Sequence, residues 1–247
     1  MPRQTLYKPP NPQVEPWPPE WPTDHLYSHE PAKDVFSHSC LAIAEALEQH
    51  GYRYKKSQNR CTRIDGSFEY EIRFQSSHYN ASGRHVQLWI HAKVSSKELL
   101  QWRGSRLQPE HCTDFVAGGM VHLLGTRFAL VQWELADPTD RSATISDAIA
   151  FLRSEVEPYF DLFREPATLI PSLAHSFVPA FDLLGSVEYS YCFGGKSQAQ
   201  QVLDFFVSRK RALLPDLGRL PPTESNAVRH GDYSRQVAFL QHTYGFA

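Results

Sequence analysis

The sharpest pattern of hydrophobic and polar positions lies between Ser67 and Val94, where apolar and polar residues alternate twice around a polar break at 76–84. Phe68, Tyr70, Ile72 and Phe74 share one side of the first run; Val86, Leu88, Ile90, Ala92 and Val94 share one side of the second. A period of two marks a strand with one buried face, so the spacing predicts two half-buried strands joined as a long-looped hairpin. The opposite positions are Glu69, Glu71, Arg73 and Gln75, then His85, Gln87, Trp89, His91 and Lys93. A large aromatic between two histidines on a polar face is the feature that a functional reading has to explain.

The flanking segments extend the pattern. Phe36, Cys40, Ile43, Ala44 and Leu47 recur at helical spacing between Pro31 and Gly51, which predicts an amphipathic helix over about 32–50. Tyr52–Ile64 reads as one strand, turned into the hairpin by Asp65-Gly66. Ser95 and Glu98 suit a capping box for a short helix, SKELLQWR. Residues 104–119 read as a loop, Met120–Leu124 as a short strand, and Phe128–Leu135, apolar nearly throughout, as a central strand. Thr144-x-x-Asp147 resembles an N-cap ahead of a stripe of Ile145, Ala148, Ile149, Leu152 and Val156, with Pro158 kinking that helix or starting a new turn.

Beyond Pro166 the signals weaken. One or two short helices fit 169–184, and Val187–Phe193 fits a strand or an extended connection. Ser197 suits the cap of a helix bearing Ala199, Val202, Leu203, Phe206 and Val207. A linker at 217–231 and a last helix capped by Asp232, with Val237, Leu240 and Tyr244, complete the chain. The predicted fold is α+β: an antiparallel sheet of about five strands with flanking helices, over residues 32–165. A proline-rich N-terminal arm (1–31) precedes it and a mostly helical C-terminal extension (166–247) packs on it.

The arm holds nine of the 18 prolines and excludes regular helix or ladder pairing. Trp17 and Trp21 are costly to leave in water, which favours an arm that packs on its own fold.

Composition narrows the function class. The 247 residues are 41% hydrophobic and 13% aromatic, ample for a core, and 25 basic against 27 acidic residues leave a net charge of -2. Such a balance supplies no global field to gather nucleic acid or an acidic membrane. Cys40, Cys61, Cys112 and Cys192 lie far apart with no C-x-x-C pair, as thiols of a reduced compartment do. No apolar run approaches the roughly 18–20 residues of a membrane span, and no secretory signal is visible, so a cytoplasmic protein is expected.

Four chemical readings compete with plain structure. Phe193-Gly194-Gly195-Lys196-Ser197 resembles the end of a phosphate-binding loop, but Ser190 stands where the full pattern needs glycine. His85 and His91 share a strand face about 20 Å apart, too far for one ion, although His78 or His122 could approach either. Adjacent His111 and Cys112 rarely face one another productively, and Cys192 is more readily a core thiol than a nucleophile. Lys55, Lys56, Arg60 and Arg63 cannot all share a strand face, and Arg209, Lys210 and Arg211 suit a helix C-terminus. No complete catalytic constellation emerges and no cofactor or metal site is expected.

Residues 33–163 resemble a bacterial family known as domain-of-unknown-function 4304. The resemblance is carried by His50-Gly51-Tyr52-Arg53-Tyr54-Lys55-Lys56, Phe74-Gln75-Ser76-Ser77, Trp133-Glu134-Leu135 and Val156-Glu157-Pro158. It implies a setting beside toxin genes and the role of a cognate immunity protein; the family offers no catalytic residues to carry over. The expected function is therefore a non-enzymatic immunity-type protein that binds a toxin domain and occludes it. The expected partner-binding residues are Trp89, His85, Gln87, His91 and Lys93, with Glu69 and Glu71 as the start of an acidic patch for a basic toxin. The alternative is a metal- or nucleotide-dependent hydrolase using the hairpin-face histidines or the Gly194–Ser197 turn.

Overall fold

The computed structural model describes residues 28–109, 112–124, 132–210 and 233–247. Expectations for Trp17, Trp21 and most of the proline-rich arm, for His111, Arg211, the 217–231 linker and the Asp232 cap fall outside these residues.

Helix α1 (Ala32–Glu48) opens the domain and buries Phe36, Cys40, Ile43, Ala44 and Leu47, the stripe expected from the spacing. Strands β1 (Arg53–Lys55), β2 (Arg60–Asp65), β3 (Phe68–Ser76) and β4 (Gln87–Ser96) follow as an antiparallel meander. The stretch 52–64 is thus not one strand: a 3-10 turn (Lys56–Gln58) and left-handed Asn59 fold it into β1 and β2. Gly66 takes a φ of +59° in the tight turn between β2 and β3. In the central hairpin, Phe68, Tyr70, Ile72 and Phe74 lie beside Val94, Ala92, Ile90 and Leu88 with all eight buried.

Helix α2 (Lys97–Gly104) is capped by Ser96, one residue later than the sequence suggests; its hydroxyl accepts from Leu99 N at 3.2 Å. The next segment corrects the loop expectation. Phe115–Met120 is strand β5, and Val121–Leu123 is a 3-10 turn. Gly118-Gly119 reads as a chain breaker, but Gly118 sits in the strand with a φ of +139°, where a Cβ would overlap the Ala92 carbonyl and lie 2.8 Å from Lys93 Cα. Glycine is what lets β5 approach β4.

Of the expected strand Phe128–Leu135, the described residues contain only β6 (Trp133–Glu134), paired to β4 beyond β5 on the same edge. Helix α3 (Arg141–Phe151) begins a turn before the expected cap at Thr144, after Asp137 has gathered Thr139 N and Arg141 N. It runs through a π turn (Leu152–Val156) into α4 (Glu157–Asp161), with Pro158 in the first turn of α4 as expected. Ala148, Leu152 and Val156 are buried.

Helices α5 (Pro166–Leu173), α6 (Leu183–Gly194), α7 (Lys196–Lys210) and α8 (Tyr233–Tyr244) complete the fold. Helix α6 overturns the strand expected at 187–193. Val187, Tyr189, Tyr191 and Phe193 alternate in sequence because α6 is enclosed on nearly every side, so Ser186, Glu188 and Ser190 are buried as well. Asp182 caps it through Gly185 N at 2.7 Å, and Phe68 of β3 meets Tyr189 and Phe193 ring to ring. The result is a six-stranded antiparallel sheet with one continuous core between its apolar face and the helices. No helix among the described residues is long and apolar enough to cross a membrane.

Candidate functional site

The side chains that alternate with the core residues of β3 and β4 form the other face of the sheet. Its cross-strand pairs are Gln75 with Trp89, Arg73 with His91, Glu71 with Lys93, and Glu69 with Ser95. Beyond β4, Phe115 lies beside Ser95, Gly118 beside Lys93 and Met120 beside His91. A groove of about 440 Å³ crosses this face, lined by Glu71, Arg73, Gln75, His91, Lys93 and Phe115.

Electrostatics on the face are organised by Glu71. Arg60 and Arg73 are directly opposite on β2 and β3, an arrangement that repels unless bridged. Glu71 bridges them, its Oε2 2.7 Å from Arg60 Nη1 and its Oε1 accepting from Arg73 Nε at 3.0 Å. The carboxylate is almost enclosed, at 7% side-chain exposure, whereas Arg73 is 54% and Lys93 36% exposed. Lys93 leans on Asp114 at 3.2 Å. The groove therefore presents ion pairs, exposed Arg73 resting on the enclosed Glu71 and Lys93 on the exposed Asp114. This corrects the expected acidic patch: Glu71 is neutralised, Glu69 lies opposite Ser95, and Trp89 stands at the other end of the hairpin.

Trp89 is half-buried, and its Nε1 donates to Gln87 Oε1 at 2.8 Å. Gln87 is buried and hydrogen-bonds Gln132 through its amide, so it holds Trp89 in place rather than offering surface. His85 is buried as well and pairs through Nδ1 with Glu134 of β6. The other Glu134 oxygen accepts from Val86 N at 2.7 Å and Ala136 N at 3.0 Å. His91 is half-buried; burial, followed by Arg73 and His122, lowers its pKa, so it presents a neutral imidazole at pH 7. Of the seven expected contact residues, Trp89, His91, Lys93 and Glu69 stay at least partly open, and His85, Gln87 and Glu71 support them from beneath.

The chemical alternatives are dispersed. Among the described residues no three His, Cys, Asp or Glu side chains gather as a metal site would require. Gly195 separates α6 from α7, so the Gly194–Ser197 turn joins two helices and lacks the strand a phosphate loop needs. Lys196 lies over the Phe246 ring at 5.9 Å. Burial pushes the Cys61 and Cys192 thiols up to about 12 and Cys40 higher still, opposite to an activated nucleophile. Arg63 faces the core side, donating to Glu157 Oε2 at 2.8 Å beneath the rings of Tyr52 and Tyr70. Arg209 lies over the Phe205 ring.

Sequence reasoning left Arg60, Phe115 and Gly118 out of the site. Arg73 could have been found, since it shares the alternation of Glu71 and Gln75. Phe115 and Gly118 carried no local signal, because only their pairing with β4 brings them to the groove.

No curated protein and no solved structure matches the chain. Residues 43–162 match the model of the family described as Domain of unknown function (DUF4304). That span starts inside α1, takes in the whole β1–β4 meander with β5 and β6, and closes just past α4, so the match covers the sheet with its open face.

Proposed function

We propose that this is a non-enzymatic immunity-type binding protein that neutralises a cognate toxin domain by covering it with the open face of the sheet. The observation that carries the reading is the construction of that face. The helices α1, α3, α4 and α6 pack on the apolar side, and the described residues leave the polar side as a groove from Gln75, the cross-strand neighbour of Trp89, to Phe115. Two aromatics within a polar rim give the anatomy of a protein interface, and Gln87 preorganises Trp89 so that little side-chain entropy is lost on binding. The family resemblance supplies the class of partner. Exposed Arg73 and Lys93 suit a toxin surface bearing carboxylates rather than a strongly basic one.

The test is coexpression with the product of an adjacent toxin gene, followed by pull-down and growth measurement. The expected result is a complex and restored growth, both lost in an Arg73→Glu/Lys93→Glu double variant that still folds. Growth arrest despite soluble wild-type protein, with no complex, removes the reading.

A further inference from the structure

The indole of Trp89 is set from outside the hairpin that carries it. Strand β6 pairs with β4 at only two positions, Gln87 with Glu134 and Leu88 with Trp133. Ordering a strand costs backbone entropy, and so short a ladder returns few hydrogen bonds for it. Side chains supply the rest. On the helical side Trp133 is buried, donates from Nε1 to Asp147 Oδ2 at 3.0 Å and meets the Phe151 ring edge-on at 5.7 Å. On the open side, Glu134 Oε1 accepts from Val86 N and Ala136 N, while Oε2 pairs with His85 Nδ1. Leu135 N donates to Val86 O at 2.8 Å. Hydrogen bonds to a carboxylate are about twice as strong as those between neutral groups, so Glu134 is the main clasp of β6 on β4.

What the clasp holds in place is Gln132. Alternation puts Gln132 and Glu134 on the side of the strand opposite Trp133, which is the side of Gln87. The backbone of Gln87 is fixed separately: its N donates to Asn80 Oδ1 at 2.9 Å and its O accepts from Asn80 Nδ2 at 3.3 Å. Its side chain links the two strands, Nε2 donating to Gln132 Oε1 and Oε1 accepting from Trp89 Nε1 at 2.8 Å. An indole nitrogen is a donor only, so Trp89 requires the oxygen of Gln87. The Gln87 amide nitrogen then requires an acceptor, and Gln132 supplies it. The relay has one orientation.

We propose that Glu134 is a positioning residue for the candidate partner surface: it clasps β6 to β4, β6 presents Gln132, and Gln132 fixes the indole of Trp89 through Gln87. The consequence is regulatory. With the clasp closed, Trp89 meets a partner already ordered; with it open, binding has to order the indole and the strand together. That consequence for toxin binding rests on the immunity reading; the positioning itself does not.

Hydrogen exchange of the Trp89 indole N–H, followed by NMR in the full chain and assigned with Trp89→Phe, tests the relay. The Trp133 indole, bonded to Asp147 on the other side of β6, is the internal reference. Glu134→Ala is expected to speed Trp89 exchange several-fold, and Glu134→Gln, which keeps an oxygen for Val86 N and Ala136 N, to restore most of the protection. Gln132→Ala leaves the clasp intact and should speed Trp89 exchange by a similar factor with Trp133 unchanged. Glu134→Ala added to Gln132→Ala should then bring little further acceleration. Unchanged Trp89 exchange in Gln132→Ala overturns the proposal, and this variant alone decides if Glu134→Ala does not fold. Parallel acceleration of both indoles in Gln132→Ala overturns it as general loosening. A full further acceleration by Glu134→Ala in the Gln132→Ala background overturns it too, because the effect then bypasses the relay. No toxin is present, so failure here leaves the immunity reading standing, and failure of the coexpression test leaves a measured relay standing.

Discussion

Arg103 of α2 and Glu188 of α6 meet inside the protein, Nη2 to Oε2 at 2.7 Å, with side chains only 2% and 0% exposed. Arg103 Nη1 also donates to the carbonyls of Thr113 at 2.8 Å and Phe115 at 2.6 Å. The second Glu188 oxygen accepts from Tyr244 of α8 at 2.7 Å. One buried pair thus ties together α2, the start of β5, α6 and the last helix, joining the C-terminal helices to the sheet edge that carries Phe115. Desolvating two charges offsets much of their attraction, so the pair specifies how these elements assemble more than it adds stability.

Glu188→Ala is expected to destabilise the fold by about 3–5 kcal/mol, because it leaves the Arg103 charge buried without its partner. Arg103→Met combined with Glu188→Leu should recover much of that loss. Urea unfolding of Arg103→Met, Glu188→Leu and their double variant gives the cycle, with Glu188→Ala measured alongside. A Glu188→Ala cost below about 1 kcal/mol contradicts the network's role.

Gly118→Ala and Gly66→Ala separate backbone strain from steric exclusion. Gly66 has open space around its Cβ position, so alanine there meets only the left-handed penalty, about 1 kcal/mol. At Gly118 the added methyl also meets the Ala92 carbonyl, and β5 must move from β4. Thermal unfolding should show a clearly larger loss for Gly118→Ala. Equal losses mean that the β4–β5 approach does not depend on this glycine.

Stability should fall toward both pH extremes. Burial raises the Cys61 thiol from an ordinary 9.0 to about 12 and the Tyr70 phenol from 10.0 to about 12. The unfolded chain therefore releases these protons first, and stability present below pH 9 is lost progressively toward pH 12. His91 acts in the opposite direction: its folded pKa lies below 6.5, so under acid conditions the unfolded chain binds a proton that the folded one resists. Urea midpoints between pH 5 and 11 read both slopes. His91→Gln should flatten the acid limb and leave the alkaline limb unchanged; an unaltered acid limb rules out the assignment.

Trp89→Ala and Arg73→Ala should each weaken toxin binding by about 2 kcal/mol, roughly 30-fold, if Trp89 anchors the interface and Arg73 pairs across it. Calorimetry measures the loss. Arg73→Ala leaves Glu71 paired with Arg60, so its melting temperature should stay near that of the wild type. Undiminished affinity in both variants moves the interface elsewhere.

The sequence by itself determined the elements whose burial follows a local period. Phe68–Phe74 and Val86–Val94 alternate because each strand has one wet and one dry face, and Phe36–Leu47 recur at helical spacing because α1 buries a single stripe. Tertiary structure decided the rest. Enclosure on nearly every side erased the helical stripe of α6 and left an alternation that reads as a strand. Gly118 is a strand residue only because β4 approaches it, and Phe115 reaches the groove only through that pairing. Glu71 belongs to an ion triad because register sets Arg60 opposite Arg73, which turns one half of an expected acidic patch into a neutralised, enclosed carboxylate. Local patterning records which side of an element is dry; it cannot record which distant charge lies across the ladder.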